Sequence, residues 1–155
     1  MAPRNMGRGL AIAMLLCASI ACSDIRDQEI ASDFVNNRPL FDHIVEIGLS
    51  TDLSCHEASG NIETCSMPVA TTTFDALRKR ARIQSINARH DIPQLGNAVY
   101  FTVASYGLVT MSSYSKGIVY STNALQPVVN NTEDRPDLRF RFNRIAEHWY
   151  VFIMP

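Results

Sequence analysis

The sequence lacks the short motifs that would assign an enzymatic activity directly. Gly-x-Ser-x-Gly, His-Glu-x-x-His and glycine-rich phosphate-loop patterns are all missing from its 155 residues. The formal net charge is only −1, so no global basic field points to a nucleic-acid partner. No repeat, low-complexity tract or second apolar span is present, and the composition is that of a globular protein. These absences favour binding over catalysis.

The one strongly apolar run lies at the N-terminus. Gly9 to Cys17 follows a segment that contains Arg4 and Arg8 but no acidic residue, and small residues come directly after it. A charged start, a short apolar stretch and small residues before a cleavage point are typical of a secretory signal peptide. The run is too short to span a bilayer, which takes roughly 20 apolar residues. We therefore predict an exported protein with a signal peptide over 1–21.

The end of this leader, Ser19-Ile20-Ala21-Cys22, resembles the lipobox of bacterial lipoproteins. The resemblance implies cleavage after Ala21, a diacylglyceryl thioether on the Cys22 sulfur and a further acyl group on its amine. About two acyl chains are enough for stable membrane anchoring. The protein would then face the periplasm from the bacterial cell envelope, with Ser23 favouring the outer membrane. A soluble secreted product is the alternative, because Ser19 and Ala21 also suit an ordinary signal peptidase.

The cysteine count supports both acylation and a disulfide. Cys17 leaves with the signal peptide, and acylation of Cys22 would leave Cys55 and Cys65 as an even pair in an oxidising compartment. A bridge between this pair would contribute about 2–3 kcal/mol to stability. Cys55, His56 and Cys65 could alternatively bind a metal, but zinc sites usually show a second pair of closely spaced ligands, which is missing here. We predict the disulfide, with no metal and no cofactor.

Hydrophobic periodicity predicts helices in the N-terminal half of the chain. Apolar residues recur at three- and four-residue spacing from Ser23 to Leu49, and a break at Pro39 predicts two successive helices there. Residues 50–69 are polar and predict a loop. A third helix is expected over 74–88. It contains a basic run, Leu77 to Arg82, which either rests on anionic lipid headgroups or forms a solvated face.

The period changes from helical to alternating after Asn97. The predicted strands lie near 98–104, 107–113, 117–121, 138–143 and 148–154. The last of them is apolar on both faces, which predicts a central strand covered on each side. Helices first and strands afterwards favour a single α+β domain over 22–155, with N-terminal helices packed on an antiparallel sheet of about four to five strands.

Arginine and tyrosine side chains in the predicted sheet are the candidate partner-binding residues. Arg139 and Arg141 alternate with aromatic residues along one strand, so they share a face of the sheet. Tyr100 and Tyr150 belong to other predicted strands, and a suitable register would place all four side chains together as an Arg/Tyr patch. Tyr and Arg carry much of the energy of protein interfaces. An exposed sheet face with amphipathic side chains lying flat is the alternative.

The predicted function is that of a lipid-anchored envelope protein that binds a protein partner, as an assembly component or as an inhibitor or immunity protein. The segments SKGIVYS and RFNRIAEHWYVF are similar to strands of small uncharacterised proteobacterial proteins, and this resemblance implies no activity. An envelope hydrolase would instead need a pocket that gathers two of His43, His90 and His148 with a carboxylate. A carrier of a small apolar ligand would need an apolar cavity beneath the sheet. No catalytic residue is assigned.

Overall fold

Two helices pack on one face of a seven-stranded antiparallel sheet. The structure is a computed structural model that describes residues 25–58, 62–93, 95–106 and 114–155. In chain order the elements are α1 (Asp27–Gly48), β1 (Ser54–Ala58), β2 (Ile62–Cys65), α2 (Pro68–Ala81), β3 (Ser85–Ile92), β4 (Gly96–Tyr106), β5 (Tyr114–Ser121), β6 (Arg141–Ala146) and β7 (Trp149–Met154). The strand order is β2-β1-β3-β4-β5-β7-β6. The predicted α+β class is confirmed, whereas the predicted signal peptide and Cys22 lie outside the described residues.

Helix α1 contains the break that the sequence predicts. Asn37 has non-helical angles (φ −123°, ψ 16°), and Pro39 follows it inside the helix. A proline cannot donate to the carbonyl four residues earlier, and its ring crowds that carbonyl, so a kink results. The Asn37 side-chain amide donates to the Asp33 carbonyl at 2.9 Å. The two predicted helices are therefore two pieces of one kinked element.

The segment predicted as a loop over 50–69 contains a β-hairpin, and this prediction was wrong. Cys55 on β1 lies directly opposite Cys65 on β2, and their sulfur atoms are joined at 2.07 Å. The predicted disulfide is therefore present. The hairpin is short and polar, and the disulfide together with pairing to β3 holds it at the edge of the sheet.

The predicted third helix is displaced towards the N-terminus. Helix α2 begins at Pro68, whose fixed φ suits a first helical turn, and ends before Arg82, which adopts the left-handed conformation (φ 59°). Ile83 and Ile86 are buried, and the latter belongs to strand β3. Their three-residue spacing fits a helix as well as a strand, so the sequence does not predict β3. With β1 and β2 also unpredicted, the expected four to five strands fall short of the seven in the sheet.

The C-terminal strands agree in part with the alternating pattern. Strand β7 lies between β5 and β6 and is buried along almost its whole length, which confirms the predicted central strand. The strand predicted over 138–143 begins only at Arg141, because the residues before it form a turn in which the Leu138 N–H donates to the Arg135 carbonyl. The strand predicted over 107–113 lies outside the described residues.

Aromatic side chains fill the space between the helices and the sheet. The Phe34 ring on α1 lies 4.7 Å from Trp149, and Phe41 lies 4.9 Å from Phe101. These rings are fully buried and belong to the main hydrophobic core. Burying each aromatic side chain removes roughly 150–250 Å² from water, so this cluster dominates the packing of α1 on the sheet. Within the described residues, no helix is long and apolar enough to cross a membrane.

A bulge in β4 requires glycine on the neighbouring strand. The pairing of β4 with β5 shifts between Thr102 and Ala104, and this brings the β4 backbone close to Gly117. A Cβ atom on Gly117 would overlap with the Phe101 carbonyl oxygen. Lys116 directly precedes this glycine and is buried, and its ion pair with Asp27 of α1 places it on the helix side of the sheet.

Candidate functional site

The face of the sheet opposite the helices is only partly covered. Leu125 packs on it with Val119, Phe142 and Tyr150, and together with a few neighbours these residues form a second, smaller core. The Leu125 N–H lies 3.5 Å from the Tyr150 hydroxyl oxygen, which accepts from it. Leu125 therefore covers only part of this face. Two adjoining cavities remain beside it, which share Tyr100 and Met154 and which we together call the groove.

One end of this groove is apolar. A cavity of about 240 Å³ lies between Leu95, Pro127, Phe140 and Phe142. Phe140, which precedes β6, is 46% exposed and lines this cavity. An exposed aromatic ring at the edge of an apolar cavity provides surface that a ligand or partner can bury.

The other end of the groove is polar. Asn87, Arg89, Thr102 and Ser115 contribute to a second cavity of about 370 Å³. Among the described residues that line the two cavities, Arg89 carries the only charged side chain. Its guanidinium group can donate to a carboxylate, and the neighbouring side chains offer further hydrogen-bonding groups.

Tyr100 joins the two ends of the groove. Its side chain lines both cavities and packs edge-to-face on Phe152, with ring centroids 5.6 Å apart. Burial raises the pKa of Tyr100, and the nearby charge of Arg89 only partly offsets this effect. The hydroxyl is therefore neutral at ordinary pH and can both donate and accept a hydrogen bond. Of the groove residues, only Tyr100 was singled out from the sequence as a site residue.

The Arg/Tyr patch does not form, because its residues lie on different faces. Arg141 is paired with Ile153 of β7, so the two side chains point to the same side of the sheet. Tyr150 lies three positions before Ile153 on the same strand and therefore points to the opposite side. Tyr150 is also only 3% exposed. Arg139 precedes β6 and lies over the Phe140 ring at 5.8 Å. Tyr100 shares a face with Tyr150 but not with Arg141, so the strands do not have the register that the patch requires.

The three histidines that a hydrolase would need are not gathered in one pocket. His43 is exposed on α1. A ring nitrogen of His90 donates to the Thr51 carbonyl at 3.0 Å, and a ring nitrogen of His148 donates to the Ser121 carbonyl at 3.0 Å. Across the part of the chain that the structure describes, no three His, Cys, Asp or Glu side chains come together as metal ligands.

The basic run on α2 is paired with carboxylates of the same domain. Lys79 forms an ion pair with Asp75 at 2.7 Å, and Arg82 forms one with Asp33 at 2.8 Å. Arg78 lies near Glu57 as well, at 3.8 Å. These pairs favour the solvated-face interpretation of this run over contact with anionic headgroups.

A buried polar network holds the first residue of α1. The Lys116 ammonium lies 2.9 Å from one Asp27 carboxylate oxygen and 2.6 Å from a Glu133 carboxylate oxygen. Asp27 also accepts from the Thr132 N–H at 2.7 Å, from the Thr132 hydroxyl at 2.5 Å and from the Asn143 amide at 3.0 Å. Burial acts to raise the pKa of Asp27, but these hydrogen bonds outweigh it and keep the pKa below its ordinary value of 3.8. We call these five residues the Asp27 clamp.

No sequence signal pointed to the clamp. Its members come from α1, β5, β6 and the segment before β6, so only the fold brings them together. Comparisons with protein-family models, with curated proteins and with solved structures find no match to this chain. The site is therefore interpreted from its own geometry.

Proposed function

We propose that this chain is a lipid-anchored protein of the bacterial cell envelope that binds a protein partner along the groove. The observation that carries the proposal is the groove itself, with an exposed aromatic ring at its apolar end and a single cation, Arg89, at its polar end. Aromatic residues and arginine are enriched at the centres of protein interfaces. The expected partner segment presents an apolar side chain to Phe140 and an acidic group to Arg89.

The apolar part of the groove is small for a site that holds a small apolar ligand. At about 240 Å³, it is smaller than the roughly 300–1,000 Å³ of typical small-molecule sites. The space beneath the sheet, where a carrier would hold its ligand, is filled by the rings of Phe34, Phe41, Phe101 and Trp149. The separation of His43, His90 and His148 likewise gives the hydrolase hypothesis no support.

Site-specific photo-cross-linking in the native envelope tests the proposed partner site. A photoreactive amino acid at Tyr100 or at Phe140 should give a discrete cross-linked protein that mass spectrometry identifies. The same amino acid at Val35, which is exposed on α1, should not give that product. Identical products from all three positions, or none from the groove positions, would refute the groove as the partner site.

A charge reversal separates specific recognition from simple proximity. Arg89→Glu should lower the cross-linking yield at Tyr100, because the partner's acidic group would then face a like charge. Arg80→Glu is the matched control, since Arg80 is exposed on α2, away from the groove. Equal yields in the two variants would mean that Arg89 plays no part in binding.

The proposed anchor has its own test. Intact-mass analysis of the protein from the membrane fraction should find a chain that starts at Cys22 and carries acyl groups, and Cys22→Ser should move the protein out of that fraction. A chain that starts at Met1, or a trimmed chain without acyl groups, would rule the anchor out.

A further inference from the structure

The Asp27 clamp fixes the point at which the polypeptide enters the folded domain. Asp27 is the first residue of α1, and its carboxylate accepts hydrogen bonds from a backbone N–H, a hydroxyl, an amide and an ammonium group. These donors approach from β5, β6 and the segment before β6. Since a carboxylate held by several groups from different elements cannot shift without breaking them, the start of α1 is fixed relative to the sheet.

The proposed anchor lies very close to this fixed point in the sequence. Cys22 and Asp27 are separated by five residue steps, which span at most about 18 Å whatever conformation they adopt. We infer that, with Cys22 acylated, the clamp holds the end of the sheet at which Lys116 pairs with Glu133 next to the lipid surface. The inference rests on the proposed lipid anchor, and it adds the orientation of the domain.

The two ends of the sheet are well separated. Lys116 lies near the start of β5, whereas Ser121 ends β5 and its N–H donates to the His148 carbonyl in the turn between β6 and β7. The residues from Ser115 to Ser121 extend over about 20 Å. Glu147, in that turn, therefore marks the end far from the tether, and Asp134, beside the clamp residue Glu133, marks the near end.

The orientation sets the direction of the groove relative to the lipid surface. Ser115 lines the groove and is adjacent in sequence to Lys116 of the clamp, at the tether end of the sheet. Arg89 pairs with Ala98, which in turn pairs with Ser121 at the other end of β5. The cation of the groove therefore lies towards the end of the sheet that is far from the tether.

Energy transfer to a lipid-headgroup dye tests the orientation. Asp134→Cys and Glu147→Cys each add one thiol to the full chain, because Cys55 and Cys65 are joined and Cys22 would be acylated. Each variant is isolated from membranes, labelled without reductant and reconstituted in vesicles that carry the acceptor dye. Transfer should be about twofold or more stronger from position 134, because the two sites differ by about 20 Å in distance from the tether end.

Lengthening the tether provides the control. About 12 Gly/Ser residues inserted between Ser23 and Asp24 add roughly 20 Å of flexible chain and should remove most of the difference between the two positions. Equal transfer from both positions in the natural-length chain, or a difference that the insertion leaves unchanged, would overturn the inference. The mass of the same samples separates the causes of failure: missing acyl groups refute the anchor, whereas equal transfer with acyl groups present refutes the orientation alone.

Discussion

Replacing Lys116 by methionine is the most direct perturbation of the Asp27 clamp. Methionine keeps much of the apolar stem but removes the cation between Asp27 and Glu133, and the Lys116 side chain is only 2% exposed. Removing one partner of a buried ion pair costs about 3–5 kcal/mol, because the remaining charge stays buried without its counter-charge. Thr132 and Asn143 still donate to Asp27 in the variant, so we expect a loss near the lower limit, about 3 kcal/mol.

The assay is urea unfolding with the disulfide intact, followed by the fluorescence of the single tryptophan, Trp149. Lys79→Met is the matched control, because Lys79 forms an ion pair with Asp75 one helical turn away and its side chain is 64% exposed. Exposed pairs of this kind contribute about 0.3–0.5 kcal/mol. If Lys116→Met lost no more unfolding free energy than Lys79→Met, the buried pair would not stabilise the fold as argued.

Two further predictions concern pH and the β4 bulge. The pKa of Asp27 is lower in the folded protein than its ordinary 3.8, so the Asp27 carboxylate is protonated first in the unfolded chain as the pH falls. The stabilisation that ionised Asp27 gives to the fold is therefore present above about pH 4 and is lost below it. Asp27→Asn should therefore flatten the pH dependence of unfolding free energy below pH 4, and an unchanged slope would contradict the assignment. Gly117→Ala should cost about 3 kcal/mol or more in thermal unfolding, since its Cβ would overlap with the Phe101 carbonyl. Gly48→Ala, whose Cβ would meet only side chains, should cost less, and the reverse order would count against the bulge argument.

The sequence predicts the features that depend on local patterns. The change of period after Asn97 separates helices from most of the sheet, and the apolar run at the C-terminus predicts the buried strand β7. The kink near Pro39 follows from the chemistry of one residue. The pairing of Cys55 with Cys65 is predicted by counting thiols on the premise that the chain is exported, and the structure contains this disulfide.

The missed features depend on contacts between distant segments. Strands β1 and β2 are short and polar, and pairing within the sheet, rather than their own composition, makes them strands. The Arg/Tyr patch failed for a related reason. Apolar and polar residues do alternate around Phe142, but both faces of the sheet bury apolar side chains, so alternation alone could not show which face the helices cover. Phe142 belongs to the second core with Tyr150, and Arg141 points towards the helix side.

The clamp is better explained by positioning than by stability alone. Desolvating Lys116 and Asp27 costs free energy that their attraction only partly offsets, and apolar residues of similar volume often serve stability equally well. Apolar contacts are not directional, however, and would let the first turn of α1 shift against the sheet. Hydrogen bonds from Thr132, Asn143 and Lys116 fix that turn in one place. A short membrane tether can orient the groove only if the domain is rigid where the tether joins it. The buried ion pair supplies the rigidity that the proposed anchor requires.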